Sequence, residues 1–266
     1  PLDILYKVPH NPAIGNTWKT HFEQFASFVS RGAGSTILEI GGGNCKFFDE
    51  IKSKVSFEKY MMYDLRCDSN DSRIEHKPYF YDPDEDILVD NKHLKLGGKV
   101  FISVPDIRRL TEDGHNNGMN FEHSYFVYEE YIDYMMRCYG FEKRESEKFS
   151  DYNDFLSYEK VSDVFDPSVQ HVNDYDKNAK IIDSYLDNLY TTVEHINKQI
   201  QNHDNVFVFG CHITTQQLIS FGLDTSKVTN ILDNDTNKQG NFLYGTKLMT
   251  VSPKILESYE NACVVV

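Results

Sequence analysis

The chain has 266 residues, 40% of them hydrophobic, with a formal net charge of -14 and a pI near 5.1. This length and apolar content suffice for one large domain or two modest ones. The acidic charge, without a concentrated run of Lys and Arg, argues against nucleic-acid and membrane-surface partners and favours a soluble enzyme.

Membrane and metal-binding signatures are both missing from the sequence. No run of about 18 apolar residues could span a bilayer and the first residues carry no signal pattern, so we expect a cytoplasmic protein. The five cysteines form no C-x-x-C pair, which predicts free thiols and no metal site. They are Cys45, Cys67, Cys138, Cys211 and Cys263.

The first motif in chain order is the stretch "STILEIGGGNCKFFDEIKSK" at residues 35–54. An apolar run at 37–40 predicts a strand, and the spacing of Phe47, Phe48 and Ile51 predicts a helix after the three glycines. Such glycines let a ligand approach the backbone, and the helix N-terminus offers unpaired N–H groups. The alternative interpretation is a tight turn with no ligand.

The next strand, "KYMMYDL" at residues 59–65, ends near Asp64. Asp64 follows Glu39 by 25 residues, close to the spacing at which an acid accepts hydrogen bonds from a ribose. An NAD site would need G-x-G-x-x-G, and the chain from Gly41 reads G-G-G-N-C-K without the last glycine. Taken alone, Asp64 could equally be a surface acid at a strand end.

The pattern of Glu39, Gly41 and Gly43 resembles the E-x-G-x-G motif of class I S-adenosylmethionine-dependent methyltransferases. The resemblance implies an α/β fold with that family's Rossmann-like sheet and S-adenosylmethionine as cofactor. The cofactor-binding residues that it implies are Glu39, Gly41, Gly42, Gly43, Asn44 and Asp64. The stretch "LKLGGKVFISVPD" is similar to the family's fifth-strand region, with a helix that ends at Gly97–Gly98 and a strand at 100–104. The following helix, from about Tyr125, and a β-hairpin complete the order of elements.

The region between Asp64 and Lys99 is too short for a complete domain of this family. It holds 34 residues (65–98), whereas two helices and two strands need roughly 60. Either a sheet element has been lost, or a stretch has been left out of the sequence. We favour the second explanation because loss of a central parallel strand would open the buried middle of the sheet.

The second half predicts another, smaller α/β domain. A long amphipathic helix is followed by the strand, glycine turn and helix in "VFVFGCHITTQQLISFG", and by strands in "KVTNILDND", "GTKLMTV" and "ACVVV". With the phrase D-N-x-x-x-K-Q-G at residues 233–240, this part resembles the C-terminal domain of the nucleotide-sugar (deoxysugar) C-methyltransferase family. Gly210 and Lys238 would form a substrate-binding anion corner, or else a packing glycine and a solvated lysine. The cysteine-rich zinc module with which that family usually starts is not found in this sequence.

The stretch "NFEHSYF" matches the place where the same family keeps an acid–imidazole pair. The resemblance implies catalytic roles for Glu122, His123 and His10, with Tyr6, Asn120 and Tyr125 as substrate-binding residues. Asn120 stands where the family typically has a tyrosine. That tyrosine could stabilise an enolate, so its absence argues against methylation of a carbon atom. Methylation of oxygen or nitrogen needs only one base, such as His123. The alternative is that Glu122 caps a helix beginning near Tyr125.

The predicted organisation is a methyltransferase domain at 1–162, a helical connector at 163–203 and a C-terminal substrate-binding domain at 204–266. We expect a monomer or homodimer that methylates a nucleotide-activated or phosphorylated sugar-like small molecule. Surface polysaccharide (capsule) or deoxysugar biosynthesis is the expected setting. The alternatives are an O- or N-methyltransferase acting on another phosphorylated acceptor, and a non-catalytic binding subunit.

Overall fold

The computed structural model describes residues 16–81, 94–115, 126–149, 153–171 and 173–266. These residues form two compact units. The first is the described part of Pro1–Asp106 and Val127–Val172, and the second is the described part of Ile107–Phe126 and Asn173–Val266. Both units contain helices and strands, so the predicted α/β class is confirmed.

The helices in chain order are α1 (Asn16–Ser30), α2 (Lys46–Lys54), α3 (Ile107–Glu112), α4 (Glu129–Cys138), α5 (Tyr175–Ile200) and α6 (Ile213–Ser220), followed by a 3₁₀ helix at Pro253–Ser258. The strands are β1 (Thr36–Ile40), β2 (Lys59–Tyr63), β3 (Ile74–Lys77), β4 (Lys99–Pro105), β5 (Phe141–Phe149), β6 (Asn153–Lys160), β7 (Asn205–Phe209), β8 (Val228–Leu232), β9 (Thr250–Val251) and β10 (Ala262–Val265).

The first unit contains a parallel sheet in the order β1-β2-β3. The middle strand β2 is the most buried, and its Tyr60 and Met62 are fully enclosed because α2 covers one face. Phe48 and Ile51 of α2 pack into the same cluster, as their helical spacing predicted. Because parallel strands end at the same edge, the residues that follow β1 and β2 are brought together there.

A second sheet of the first unit is antiparallel, in the order β4-β6-β5. The central strand β6 buries Phe155, Leu156 and Tyr158, whereas the edge strand β5 exposes charged side chains that discourage edge-to-edge pairing. Within the described residues β1 pairs only with β2 and β4 only with β6, so each has one edge without a partner strand in that part of the chain. The half-exposed residues along all of β4 agree with this.

The second unit is built on a parallel sheet in the order β10-β7-β8-β9. The residues Val206, Phe207 and Val208 of β7 are buried between neighbouring strands on both sides. The long helix α5 lays Val193 and Ile200 on this sheet's core, as its apolar periodicity predicted.

Several elements differ from the sequence-based expectations. The strand β3 was not predicted, and residues 94–98 form a turn rather than the end of a helix. The strand expected from "GTKLMTV" is reduced to the two residues of β9, with a bridge between Phe242 and Met249. The segment before β10 forms a 3₁₀ helix at Pro253–Ser258, and the Ser252 hydroxyl accepts the N–H of Lys254 at its start.

Helix α4 begins at Glu129, because Tyr128 before it has an extended backbone with φ -84° and ψ 156°. The expectation of a helix from about Tyr125 was therefore wrong at its start, since residues 126–128 are not helical. Glu122 lies seven positions ahead of Glu129. Glu122 itself lies outside the described residues, so its alternative role as a helix cap stays a prediction.

Candidate functional site

The loop after β1 is shaped by two residues with left-handed backbone. Gly41 has φ +82°, a conformation that favours glycine, and its N–H donates to the carbonyl of Tyr63 at the end of β2 (2.9 Å). Cys45 has φ +56° immediately before α2, and its N–H donates to the Gly42 carbonyl at 2.7 Å. The loop is thereby folded back over the carboxyl edge of the sheet.

Asp64 follows β2 directly, and its side chain turns toward the glycine loop. One carboxylate oxygen accepts the Gly43 N–H at 3.0 Å, and the other accepts the Arg66 N–H at 3.0 Å. A Cβ atom at position 43 would lie 2.5 Å from Asp64 Oδ1. A side chain at position 43 would therefore force the Asp64 carboxylate to move, which the sequence pattern alone did not reveal.

Glu39, the acid before the glycines, is directed to the other side of the same loop. The Tyr60 hydroxyl donates a hydrogen bond to Glu39 Oε2. A Cβ atom at position 42 would collide with the Glu39 carboxyl group, so Gly42 leaves space for the Glu39 side chain. Burial raises the pKa of Glu39 to about 7, and the charge of Asp64 adds to the rise against the lowering effect of the Tyr60 hydrogen bond.

The structure therefore brings the six residues predicted to bind the cofactor together at the carboxyl ends of β1 and β2, with Glu39 in β1 and the other five in the loops that follow the two strands. Glu39 contacts Gly42, Asp64 binds Gly43, and the Asn44 side chain accepts the Lys46 N–H at 3.0 Å. Sequence reasoning missed Tyr60, which orients Glu39, because a buried tyrosine in a strand is indistinguishable from a core residue. The other site residues of the sequence-based prediction in the first half and the centre of the chain lie outside the described residues; they are Tyr6, His10, Asn120, Glu122, His123 and Tyr125.

The second unit repeats the geometry of this loop. Gly210, after β7, has φ +108° and donates its N–H to the carbonyl of Leu232 at the end of β8 (2.7 Å). The next residue along, Cys211, donates its N–H to Asp233 Oδ2 at 2.8 Å. Gly210 and Asp233 therefore directly follow β7 and β8, in the same positions that Gly41 and Asp64 occupy after β1 and β2.

Lys238 is held by the acid of this second loop. Its ammonium lies 3.0 Å from Asp233 Oδ2, in an ion pair with a carboxylate that is almost fully buried. Burial alone would raise the pKa of Asp233, but the Asp235 N–H and the Lys238 ammonium outweigh it and lower that pKa. Asp233 was quoted in the sequence pattern without a role, and its position directly after β8 is the signal that could have identified it.

The described residues contain neither a candidate metal centre nor a helix that could span a membrane. Within residues 16–81, 94–115, 126–149, 153–171 and 173–266, no three His, Cys, Asp or Glu side chains gather as a metal site would require. Across that same part of the chain, no helix has the length and apolar content to cross a bilayer.

Comparison with known proteins gave structural matches only. No family model matches the chain, and no curated protein matches it. A candidate S-adenosylmethionine-dependent methyltransferase from Listeria monocytogenes superposes with a TM-score of 0.39 at 12% identity, covering 54% of this chain and all of that one. A candidate type 11 methyltransferase from Sulfolobus solfataricus gives 0.37 at 16% identity, over 56% of this chain and 97% of that one.

A third match is Sp1610 from Streptococcus pneumoniae, a candidate tRNA (m1A22) methyltransferase in complex with S-adenosyl-L-methionine. It gives a TM-score of 0.33 at 10% identity, over 76% of this chain and 96% of that one. All three TM-scores are below 0.5.

Proposed function

We propose that the chain is an S-adenosylmethionine-dependent methyltransferase that binds its cofactor at the carboxyl ends of β1 and β2. The observation that carries the proposal is the Asp64 carboxylate, bonded to the Gly43 N–H at the edge where ligands collect in open α/β sheets. A carboxylate in this position can accept hydrogen bonds from two ribose hydroxyls. Gly41, Gly42 and Gly43 would then pass beneath the rest of the cofactor.

The charge of the loop favours this cofactor over a dinucleotide. Asp64 is close enough to Glu39 for its charge to raise the pKa of Glu39. The Asp64 carboxylate beside the glycines opposes the pyrophosphate of NAD, which needs an electropositive loop. S-adenosylmethionine instead presents a sulfonium and an ammonium, both cations that such a loop attracts.

The proposed acceptor is a nucleotide-activated or phosphorylated sugar-like molecule, in surface polysaccharide or deoxysugar biosynthesis. This part rests on the resemblance of residues 120–126 and 233–240 to the sugar C-methyltransferase family. His123 is the proposed base, with Glu122 fixing its tautomer and His10 as a further catalytic group. Tyr6, Asn120 and Tyr125 are the proposed substrate-binding residues near them.

Gly210 and Lys238 are the proposed substrate-binding residues of the second unit. Support comes from the repeated loop, in which Asp233 is placed after β8 as Asp64 is after β2. Lys238 is paired with Asp233. If ribose hydroxyls bound to Asp233, the Lys238 ammonium would be released from that pair and could bind a phosphate. We propose the corresponding division into a methyltransferase domain at 1–162, a connector at 163–203 and a substrate-binding domain at 204–266, in a cytoplasmic monomer or homodimer.

Oxygen or nitrogen methylation of another phosphorylated acceptor is the second candidate, favoured by Asn120 in place of a tyrosine. A non-catalytic binding subunit is the third. A screen of nucleotide sugars and sugar phosphates with methyl-labelled cofactor separates the first two by their products. In that screen His123→Ala should lose methyl transfer while its affinity for S-adenosylhomocysteine stays within twofold of the parent protein; persistent transfer would remove His123 from the mechanism.

Isothermal calorimetry with S-adenosylhomocysteine and, separately, NAD tests the cofactor. We expect saturable binding of S-adenosylhomocysteine, and an affinity at least tenfold lower, about 1.4 kcal/mol, in Asp64→Asn. The matched control is Asp71→Asn, in the same β2–β3 connection, where the carboxylate is bonded to Arg73. No heat at about 1 mM ligand, or tighter binding of NAD, would refute the proposal.

A further inference from the structure

Two cysteine thiols meet beneath the proposed cofactor site. The Sγ atoms of Cys45 and Cys67 are 3.4 Å apart, although the residues are separated by 22 positions in the sequence. Cys45 ends the glycine loop and is 1% exposed, whereas Cys67 lies in the β2–β3 connection and is half-buried. Scattered spacing in the sequence gave no sign of this pair.

Backbone hydrogen bonds hold the two loops together on either side of the sulfurs. The Asp68 N–H donates to the Gly43 carbonyl at 3.0 Å, and the Gly43 N–H donates to Asp64 at 3.0 Å. A disulfide needs sulfurs about 2.05 Å apart, so the two atoms must approach by about 1.4 Å. Small shifts of the two loops can supply that approach, because their backbones are already hydrogen-bonded to each other.

We propose that Cys45 and Cys67 form a reversible disulfide, and that this oxidation weakens cofactor binding at the loop above. The second half of the proposal rests on the proposed cofactor site, whereas the first half does not. The modification is the oxidation of the two thiols, and the oxidant is a peroxide.

The chemistry begins at Cys67 because this residue is half-buried, whereas Cys45 is 1% exposed. A peroxide transfers an oxygen atom to the Cys67 sulfur, which becomes a sulfenic acid while the peroxide is reduced to water. The Cys45 sulfur then attacks Cys67 Sγ, so that an S–S bond forms, the S–O bond breaks, and hydroxide leaves with the Cys45 proton as a second water. Two thiols have lost two electrons and two protons, and a dithiol reductant reverses the change.

Disulfide closure would act on the two groups that shape the loop. Gly43 precedes Cys45 by two residues, and Asp64 precedes Cys67 by three. Helix α2 anchors Cys45 because Phe47 and Phe48 behind it are buried, so the approach of the sulfurs must be absorbed by the loops. A shift of this size misaligns the Asp64 carboxylate with the hydroxyls that it would bind.

The experiment treats the full chain with hydrogen peroxide, blocks the remaining thiols and maps the peptides by mass spectrometry. We expect a cross-linked peptide joining Cys45 to Cys67 that dithiothreitol separates. Calorimetry on the same samples should show S-adenosylhomocysteine affinity at least tenfold lower after oxidation and restored after reduction. Cys67→Ser should keep its affinity through peroxide treatment, whereas Cys263→Ser, altered in β10, should respond like the parent protein.

Absence of the cross-linked peptide would overturn the disulfide. A cross-linked protein that binds the ligand unchanged, or an equal loss of affinity in Cys67→Ser, would overturn the control of binding. If the reduced protein binds no S-adenosylhomocysteine while the cross-link forms, the disulfide stands and the proposed cofactor site is refuted.

Discussion

Replacing Glu39 with glutamine should change how the stability of the first unit depends on pH. Burial raises the pKa of Glu39 from 4.5 to about 7 in the folded chain, and the amide of glutamine can still accept the Tyr60 hydroxyl. Between these two values the unfolded chain loses the proton and the folded chain keeps it. The free energy of unfolding of the parent protein therefore falls as pH rises from about 4.5 to 7, by about 3 kcal/mol in total.

The glutamine variant lacks this ionisation, so its stability relative to the parent protein should rise by about 3 kcal/mol between pH 4.5 and pH 8. Urea denaturation at both pH values measures the difference, in which the titration of all other groups cancels. Trp18 is the only tryptophan of the chain and lies in the same unit as Glu39, so its fluorescence reports the unfolding of that unit. A relative stability that stays constant within about 0.5 kcal/mol would refute the assignment of a buried, neutral Glu39.

The control for this experiment is Glu58→Gln, which alters an exposed carboxylate of the same unit. Its free energy of unfolding should stay within about 0.5 kcal/mol of the parent protein at both pH values. A shift like that of Glu39→Gln would mean that general surface charge, rather than the buried acid, produces the effect.

Two further substitutions test the loop and the packing of the first unit. Gly43→Ala places a methyl group 2.5 Å from Asp64 Oδ1, so it should lower S-adenosylhomocysteine affinity at least tenfold by calorimetry, and unchanged affinity would contradict the tight loop. Gly140→Ala should cost about 2–4 kcal/mol in urea denaturation, because φ is +79° and the Cβ would collide with the Ser162 carbonyl. Its control is Gly97→Ala in the same unit, where φ is also positive (+82°) and the space around the Cβ is open, so it should cost about 1 kcal/mol. Equal losses in the two variants would mean that backbone strain alone, and not the collision with Ser162, produces the Gly140 effect.

The opening β-α-β unit was predictable because each of its elements has a local signal. An apolar strand, three glycines and a helical spacing of Phe47, Phe48 and Ile51 appear within 20 residues, and the structure has β1, the loop and α2 at those positions. The position of Asp64 followed from its place directly after β2. Strand β5 and strand β6 were likewise recognisable as a hairpin.

Elements defined by tertiary pairing were not predictable in the same way. The four residues of β3, I-E-H-K, carry little apolar signal, and they form a strand because they pair with β2. The start of α4 was placed too early because the apolar residues of "YFVY" also fit a helical period, while the backbone before Glu129 is extended. Contacts between distant residues, such as Tyr60 with Glu39 and Cys45 with Cys67, have no signature in spacing.

The second unit shows the same division between local and distant information. The sequence indicated the strand, glycine turn and helix around Gly210, and the apolar stripe of α5 predicted its buried face. The pairing of Lys238 with Asp233 depends on how the loop after β8 folds back, and the sequence pattern alone presented Lys238 as a free cation. Asp233 directly follows β8 as Asp64 follows β2, and this position could have indicated that Asp233 is available to pair with Lys238.

We propose that the Asp64 carboxylate after β2 and the glycine loop after β1 form a cofactor site. The most direct measurement is calorimetry of S-adenosylhomocysteine binding to the parent protein, Asp64→Asn and Asp71→Asn under identical conditions. We expect saturable binding by the parent protein. The affinity should be at least tenfold lower in Asp64→Asn and within twofold of the parent protein in Asp71→Asn. Equal affinities in all three proteins, or no binding by the parent protein at about 1 mM ligand, would contradict it.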